Sequence, residues 1–315
     1  MLSASVQQQA EVPAELDGVR LDAAAAQLFA DYSRARLRLW IEGGRMLHNG
    51  QAAARARQPV RAGDRLQLDP DDAALESRVV AQPIDIEVLY ADAALAIIDK
   101  PPGLTVHPGA GTPDGTLQNA LLHHFPQTAA VPRAGLVHRL DKDTSGLLVV
   151  ALDLRAHTRL VAALARREIR REYDALVVGA VTAGNTVDAP IGRDPRHRTR
   201  MAVTEGGRRA VTHYSVVERF ERLTLLRVQL ETGRTHQIRV HLAHLRHPIV
   251  GDSVYGSRRR SGVAAADAFP RQALHARRLS FAHPLSAAPL QFEAPLPDDL
   301  QSLLRVLREA EPPHA

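Results

Sequence analysis

The sequence predicts an α+β protein, in which a small α/β module precedes a large domain built on a mixed, largely antiparallel sheet. Three observations carry this. After residue 84 the apolar segments are mostly short, strand-like and close together, with few helices between them. The first seventy residues hold two helical patterns and then strand–turn signals. Between the two parts lies an acidic, proline-bounded stretch, "DPDDAALESRVVAQP". At 315 residues the chain has room for one large and one small domain. The expected boundaries are a mobile tail over 1–12, a first module over 13–70, a linker over 71–83 and a large domain over 84–315.

In the first module, Leu21 to Ala30 is alanine-rich and helical, with Asp22 as its cap. Ser33 caps a second helix, whose apolar Leu37, Trp40 and Ile41 fall at helical spacing until Gly43-Gly44 ends it. "RMLHNGQ" reads as a strand entering an Asn-Gly turn, and "AGDRLQL" as another short strand. In the large domain, "IDIEVLYADAALAIIDK" gives strands stopped by Pro101-Pro102-Gly103, and "GTLQNALLHHF" gives a helix. "GLLVVAL" is a buried strand, "AHTRLVAALARREI" a helix and "REYDALVVGAV" a strand. "RAVTHYSVVERF", "LTLLRVQLETG" and "PLQFEAP" add strands, and "THQIRVHLAHL" begins a helix.

Composition removes several classes of function. Cysteine is absent, which excludes disulfides, thiolate–zinc sites and thiol nucleophiles. No run of eighteen apolar residues reads as a membrane span, and the start lacks a signal-peptide pattern, so a cytoplasmic protein is expected. The net charge of +5 is carried almost wholly by arginine, with Lys100 and Lys142 the only lysines. Arginine grips phosphate bidentately and stacks on bases, so a polyanionic partner is expected. Between Arg20 and Arg65 nine arginines face four acids, with Arg34, Arg36 and Arg38 on the second helix, and this favours RNA over a merely solvated face.

One stretch, "HRLDKDTSG" (His138–Gly146), sets two basic residues and two acids around a polar turn. A kinase catalytic loop would need His-Arg-Asp order and an Asn five residues on, where Gly146 stands. A glycosidase pair from Asp141 and Asp143 would lose its shared face once the chain turns, and Asp143 reads as closing that turn. His241, His244 and His247 step by three along a helix without an "HExxH" pattern; they read as surface or phosphate-facing rather than as metal ligands. "REY" (Arg171–Tyr173) alone fits a core tyrosine. "ETGRTHQIRVH" (Glu231–His241) is too polar for a purely structural element.

Two resemblances combine these fragments. Arg20-Leu21-Asp22, Ser33-Arg34, Gly44-Arg45 through Asn49-Gly50, and Gly63-Asp64 resemble the small RNA-binding domain first seen in ribosomal protein S-four. His48 stands where that pattern usually has a β-branched residue. His138-Arg139-Leu140-Asp141 with Thr144-Ser145-Gly146, Arg171-Glu172-Tyr173, Gly233 through His241, and Gly251-Asp252 resemble the RluA-type pseudouridine synthases over about Ile84 to Pro297. "TAGNTVDAPIGRDPRHRTRMAV" and "LETGRTHQIRVHLAHLRHPIVGDSVYG" look most like the RluD branch.

The resemblance implies a catalytic domain with a central cleft that isomerises uridines without cofactor or metal. The implied partner is RNA, namely 23S rRNA or a large-subunit precursor, with the helix 69 stem-loop as target. It implies Asp141 as the catalytic carboxylate, Arg239 as the arginine that keeps it ionised, and Tyr173 as the active-site tyrosine. Ile238 would wall the pocket, and Arg139 would fill the space left by an everted base. Asp141 would either take a sugar proton or attack the ribose or ring. RNA contact is expected from Arg34, Arg36, Arg38 and Arg45, and from Arg198 and Arg200 in an arginine-rich loop. A monomer is expected. The competing reading is a non-catalytic ribosome-assembly or RNA-binding factor with a degenerate synthase domain; a base methyltransferase lacks both a methyl-donor site and a cysteine nucleophile.

Overall fold

A computed structural model describes residues 8–30, 32, 34–69, 79–109, 111–197, 200–256 and 260–310, without the side chains of residues 35 and 36. The chain divides into two compact units, Met1–Val79 and Val80–Ala315.

In the first unit, β1 (Gln8–Glu11), helices α1 (Leu21–Leu28) and α2 (Arg34–Glu42), and strands β2 (Met46–His48), β3 (Gln51–Ala52) and β4 (Arg65–Leu68) follow in order. The strands form an antiparallel sheet, β1–β4–β2–β3. Leu21, Leu37 and Trp40 from the helices pack with Met46, Leu66 and Leu68 from the strands. Two expectations need correction. Residues 8–11 belong to this sheet rather than to a tail, because pairing with β4 satisfies their backbone groups. Asp22 lies inside α1, with Arg20 at the cap position, and its carboxylate pairs with Arg20 and Arg34. Ser33 lies outside the described residues.

The Asn-Gly and Gly-Asp signatures meet. Asn49 (φ 53°) and Gly50 (φ 82°) make the left-handed pair that a two-residue hairpin turn needs. The Asn49 amide donates to Asp64 at 2.8 Å, and the His48 ring donates to the same carboxylate at 2.6 Å. Gln58 donates to the other His48 ring nitrogen at 2.8 Å, so the unusual histidine ties the two turns together.

In the second unit, β5 (Glu87–Ala91), β6 (Leu95–Lys100), α3 (Leu117–His124), β7 (Ser145–Ala151), α4 (Leu154–Ala165) and β8 (Arg170–Val178) come first. They are followed by β9 (Asn185–Asp188), β10 (Ile191–Arg193), β11 (Met201–Val203), β12 (Val211–Arg219), β13 (Leu223–Leu230) and α5 (Gln237–His244). The order ends with α6 (Ala264–Asp267), β14 (Leu274–Ala282), β15 (Pro289–Glu293) and α7 (Asp298–Ala310). The main sheet runs β5–β6–β7–β14–β8–β13–β12–β9, with β15 beside β14. Only β7 and β14 pair in parallel, so the sheet is mixed and largely antiparallel, as the sequence predicts. Val80 to Gln82, expected in the linker, are bonded into this unit: Asn119 donates to the Val80 carbonyl at 2.7 Å, and the Gln82 amide to that of Asn119 at 3.0 Å. Residues 70–78 lie outside the described residues.

β7 is buried along its whole length. It approaches β14 closely at Gly146, whose φ of 108° suits glycine and where a side chain would strike the Ala276 backbone. That junction fixes where the preceding loop, which carries Asp141, leaves the sheet.

Candidate active site

Asp141 sits on the loop entering β7, and several contacts hold that loop. The Thr144 amide donates to the Asp141 carbonyl at 3.1 Å, which closes the turn through the backbone rather than through the Asp143 side chain. The buried Lys100 ammonium donates to the carbonyls of Pro101 (2.6 Å) and Lys142 (2.9 Å). Burial pulls its pKa down to about 7, against the opposing charge of Asp143. Arg271, paired through two nitrogens with Asp299 at 2.7 Å each, donates to the Asp143 carbonyl at 3.1 Å. His138 accepts the Val149 amide at 3.2 Å and so braces the loop against β7. Burial, helped by the Arg171 charge, lowers its pKa to about 3 and keeps the ring neutral.

The loop borders a cavity of about 830 Å³ whose lining includes Arg139, Asp141, Tyr173, His236, Ile238 and Arg239. A cavity this size admits a nucleotide. The expected catalytic residues therefore converge from the loop before β7, from β8 and from α5. The Asp141 side chain is 15% exposed, and Arg239 Nη1 donates to its Oδ2 at 3.0 Å. Tyr173 is 5% exposed; burial raises its phenol pKa, the Arg171 cation opposes this and the Asp141 charge adds to it. Ile238 is buried in the same core cluster as Tyr173. Arg139 is exposed at the cavity.

Three further members of the site carry no role in the sequence reading, although His236 and Asp252 stand in motifs of the resemblance. Asp252, whose side chain is fully buried, takes two hydrogen bonds from Arg239, Nε at 2.7 Å and Nη2 at 2.9 Å. Burial alone would raise the Asp252 pKa, but the Arg239 hydrogen bonds and charge outweigh it and leave the carboxyl below its ordinary range. Burial likewise lowers Arg239, and Asp252 and Asp141 together overcome this and raise it. Tyr255 places its ring 5.1 Å from the Arg239 guanidinium carbon and its hydroxyl 2.8 Å from His236 Nδ1. His236, at the N-cap of α5, brings Nε2 to 3.8 Å from Asp141 Oδ1. The signals were the polar stretch Glu231–His241 for His236 and the "GDSVYG" turn for Asp252 and Tyr255, but neither pattern reveals which side chains are aimed inward.

The histidine series is also corrected. His241 is fully buried rather than surface or phosphate-facing, bonded to Thr212 Oγ1 and the Ala189 carbonyl at 2.9 Å each. Nearness to the sheet gives it core partners. His247 bonds the Val178 carbonyl at 3.1 Å. Among the described residues no group of three or more acidic, histidine or cysteine side chains could hold a metal ion.

The expected RNA-contacting arginines are mostly paired. Arg34 pairs with Asp22 at 3.0 Å, Arg38 with Glu42 at 2.7 Å, and Arg45 with Asp69 at 2.9 Å. The Arg36 side chain and Arg198 lie outside the described residues. Arg200 is half-buried in the β10–β11 hairpin, its carbonyl accepting the Asp194 amide at 3.0 Å. Among the described residues no helix is long and apolar enough to cross a membrane.

The family model described as RNA pseudouridylate synthase matches residues 94–244, which include Asp141, Tyr173 and Arg239. The Pseudomonas aeruginosa "Ribosomal large subunit pseudouridine synthase D" is 52% identical over 315 residues, covering 98% of each chain. The protein of that name from Escherichia coli strain K12 is 50% identical over 310 residues, covering 96% of this chain and 95% of its own. Among solved structures, human RNA Pseudouridylate Synthase Domain Containing 4 is 27% identical with a TM-score of 0.55, covering 70% of this chain and 92% of its own. Human RNA Pseudouridylate Synthase Domain Containing 1, at 24% identity and TM-score 0.54, covers 74% and 99% and shares the fold. The chain therefore belongs to the RNA pseudouridine synthases, in the branch of the ribosomal large subunit pseudouridine synthase D enzymes.

Proposed function

We propose that this enzyme converts uridines of 23S rRNA, in the helix 69 stem-loop, to pseudouridine, with Asp141 as the catalytic carboxylate. Large-subunit rRNA is favoured by the name its relatives carry, and helix 69 by the sequence resemblance. The observation that carries the reading is the hydrogen bond from Arg239 to Asp141 beside a cavity that also holds Tyr173.

The reaction breaks the bond between C1′ and N1, turns the uracil and forms a bond from C1′ to C5. The C5 proton is lost and N1 gains one, so substrate and product are isomers and nothing is oxidised. Asp141 either removes a sugar proton or attacks the ribose or ring, and both need an ionised carboxylate. Arg239 Nη1 donates to that carboxylate at 3.0 Å and sets its positive charge beside it. Tyr173 presents an aromatic face for the base, and Ile238 forms the apolar wall behind it. Arg139 fills the stack that the everted base leaves. Arg34, Arg36, Arg38 and Arg45 of the first unit, with Arg198 and Arg200, contact phosphate.

Asp141→Asn tests the assignment. It should abolish pseudouridine formation in a helix 69 stem-loop RNA while the RNA dissociation constant stays near wild type. Substantial turnover by that variant would refute the role of Asp141, and activity confined to a different RNA would refute the target.

A further inference from the structure

His236 holds a left-handed backbone conformation, φ 56° and ψ 23°, uncommon for residues other than glycine though less so for asparagine, aspartate and histidine. Its side chain lines the cavity of Asp141. Its two nitrogens meet different surroundings. Nδ1 lies 2.8 Å from the Tyr255 hydroxyl. The same hydroxyl oxygen accepts the Met201 amide from β11 at 3.0 Å. With that amide donating inward, the phenol's own proton finds its acceptor at Nδ1. When the phenol donates there, the ring proton resides on Nε2.

Nε2 is 3.8 Å from Asp141 Oδ1, beyond hydrogen-bond length, so the donor faces the cavity unspent. Burial lowers the His236 pKa, against the opposing pull of Asp141, and so favours the neutral ring.

We propose that His236 contacts the substrate, its Nε2–H donating to a carbonyl oxygen of the everted uracil, and that Tyr255 is the positioning residue that sets this tautomer. The proposal rests on the reading of Asp141 given above. Whichever way Asp141 acts, electrons pass into the uracil ring as the C1′–N1 bond breaks or the ring is attacked. The charge collects on the carbonyl oxygens. A neutral N–H aimed there stabilises the charge as it develops and keeps hold of a base that must turn before it rejoins the sugar. Tyr255 also joins this donor to the arginine-rich hairpin, since Met201 is the first residue of β11.

The test uses the full-length enzyme and a stem-loop RNA under single-turnover conditions. His236→Met removes the donor and should slow the reaction about tenfold, the worth of one hydrogen bond gained in the transition state, with RNA affinity unchanged. His236→Gln restores an N–H near Nε2 and should recover most of the rate. RNAs carrying sulfur in place of one uracil carbonyl oxygen supply the second arm. At the contacted position sulfur should slow wild type and leave His236→Met no slower than it already is. Nitrogen-15 spectra of histidine-labelled protein should find His236 protonated on Nε2, and that preference lost in Tyr255→Phe. Equal rates for wild type and His236→Met, or additive sulfur effects at both carbonyls, would overturn the proposal, as would protonation on Nδ1 in wild type. Asp141→Asn, run alongside, separates the failures: an inactive Asp141 variant with a wild-type His236→Met rate rejects the histidine alone.

Discussion

Arg239 is held more firmly by Asp252 than by Asp141, with two hydrogen bonds to the first and one to the second. The guanidinium is thus anchored to a fully buried carboxylate and lends an Nη1 hydrogen to one that is 15% exposed. Asp252→Asn should break the anchor. Removing one partner of a buried pair costs about 3–5 kcal/mol, and the loosened arginine should also lower the single-turnover rate. The folded pKa of Asp252 lies below its ordinary 3.8, so its stabilising contribution is complete above that pH and is lost as pH falls through the folded value. Urea unfolding midpoints between pH 3 and 7 should fall less steeply toward acid in Asp252→Asn than in wild type.

Gly146 is where β7 and β14 touch, and its φ of 108° admits no ordinary side chain. Gly146→Ala should destabilise the enzyme by about 1–3 kcal/mol from backbone strain alone, with the clash against Ala276 adding to it. Thermal unfolding followed by circular dichroism checks this. An unchanged midpoint would mean that the strand junction tolerates the added carbon.

How much of this was readable beforehand differs from element to element, for physical reasons. Arg239 stood in a segment too polar for a purely structural element, whereas Asp141 and Tyr173 took their roles from the resemblance; the fold brings all three to one cavity. Strand β14 was missed because "LHARRLSFA" sets Arg277 and Arg278 side by side and spoils local alternation. Their charges are answered by Glu293 on β15 and by Asp174 and Glu172 on β8, partners that a local window cannot see. Helix α7 is different: Leu300, Leu303, Leu304 and Leu307 are spaced for a buried face, and that signal was present but unread. Asp252 stands in a motif that carries the resemblance and Tyr255 in the turn that follows it, but neither was given a role. Their inward aim is a tertiary fact.

Lys100 carries a prediction of the same pH sense in a higher window. Its folded pKa, about 7, lies below the ordinary 10.5, so the unfolded chain binds the extra proton between those values. Stability should therefore rise as pH climbs from 7 toward 10, and lose that gain as pH falls back through 7. Lys100→Met should flatten this slope in urea titrations. It should also slow turnover, because the Lys142 carbonyl beside Asp141 loses its ammonium partner.

Arg139 is exposed at the cavity, one side chain away from the loop carboxylate and with no carboxylate partner among the described residues. If its task is to occupy the stack that an everted uridine leaves, its value depends on how stacked that uridine was. Extruding a base from a structured loop costs a few kcal/mol, whereas an unstructured strand has already met most of that cost. Arg139→Ala should then slow a stem-loop substrate about 100-fold and a flexible single-stranded RNA far less. A phosphate-binding role would weaken both substrates alike and appear in the dissociation constant rather than the single-turnover rate. Comparing the two RNAs at saturating enzyme separates these outcomes, and equal losses on both would assign Arg139 to the backbone instead of the vacated stack.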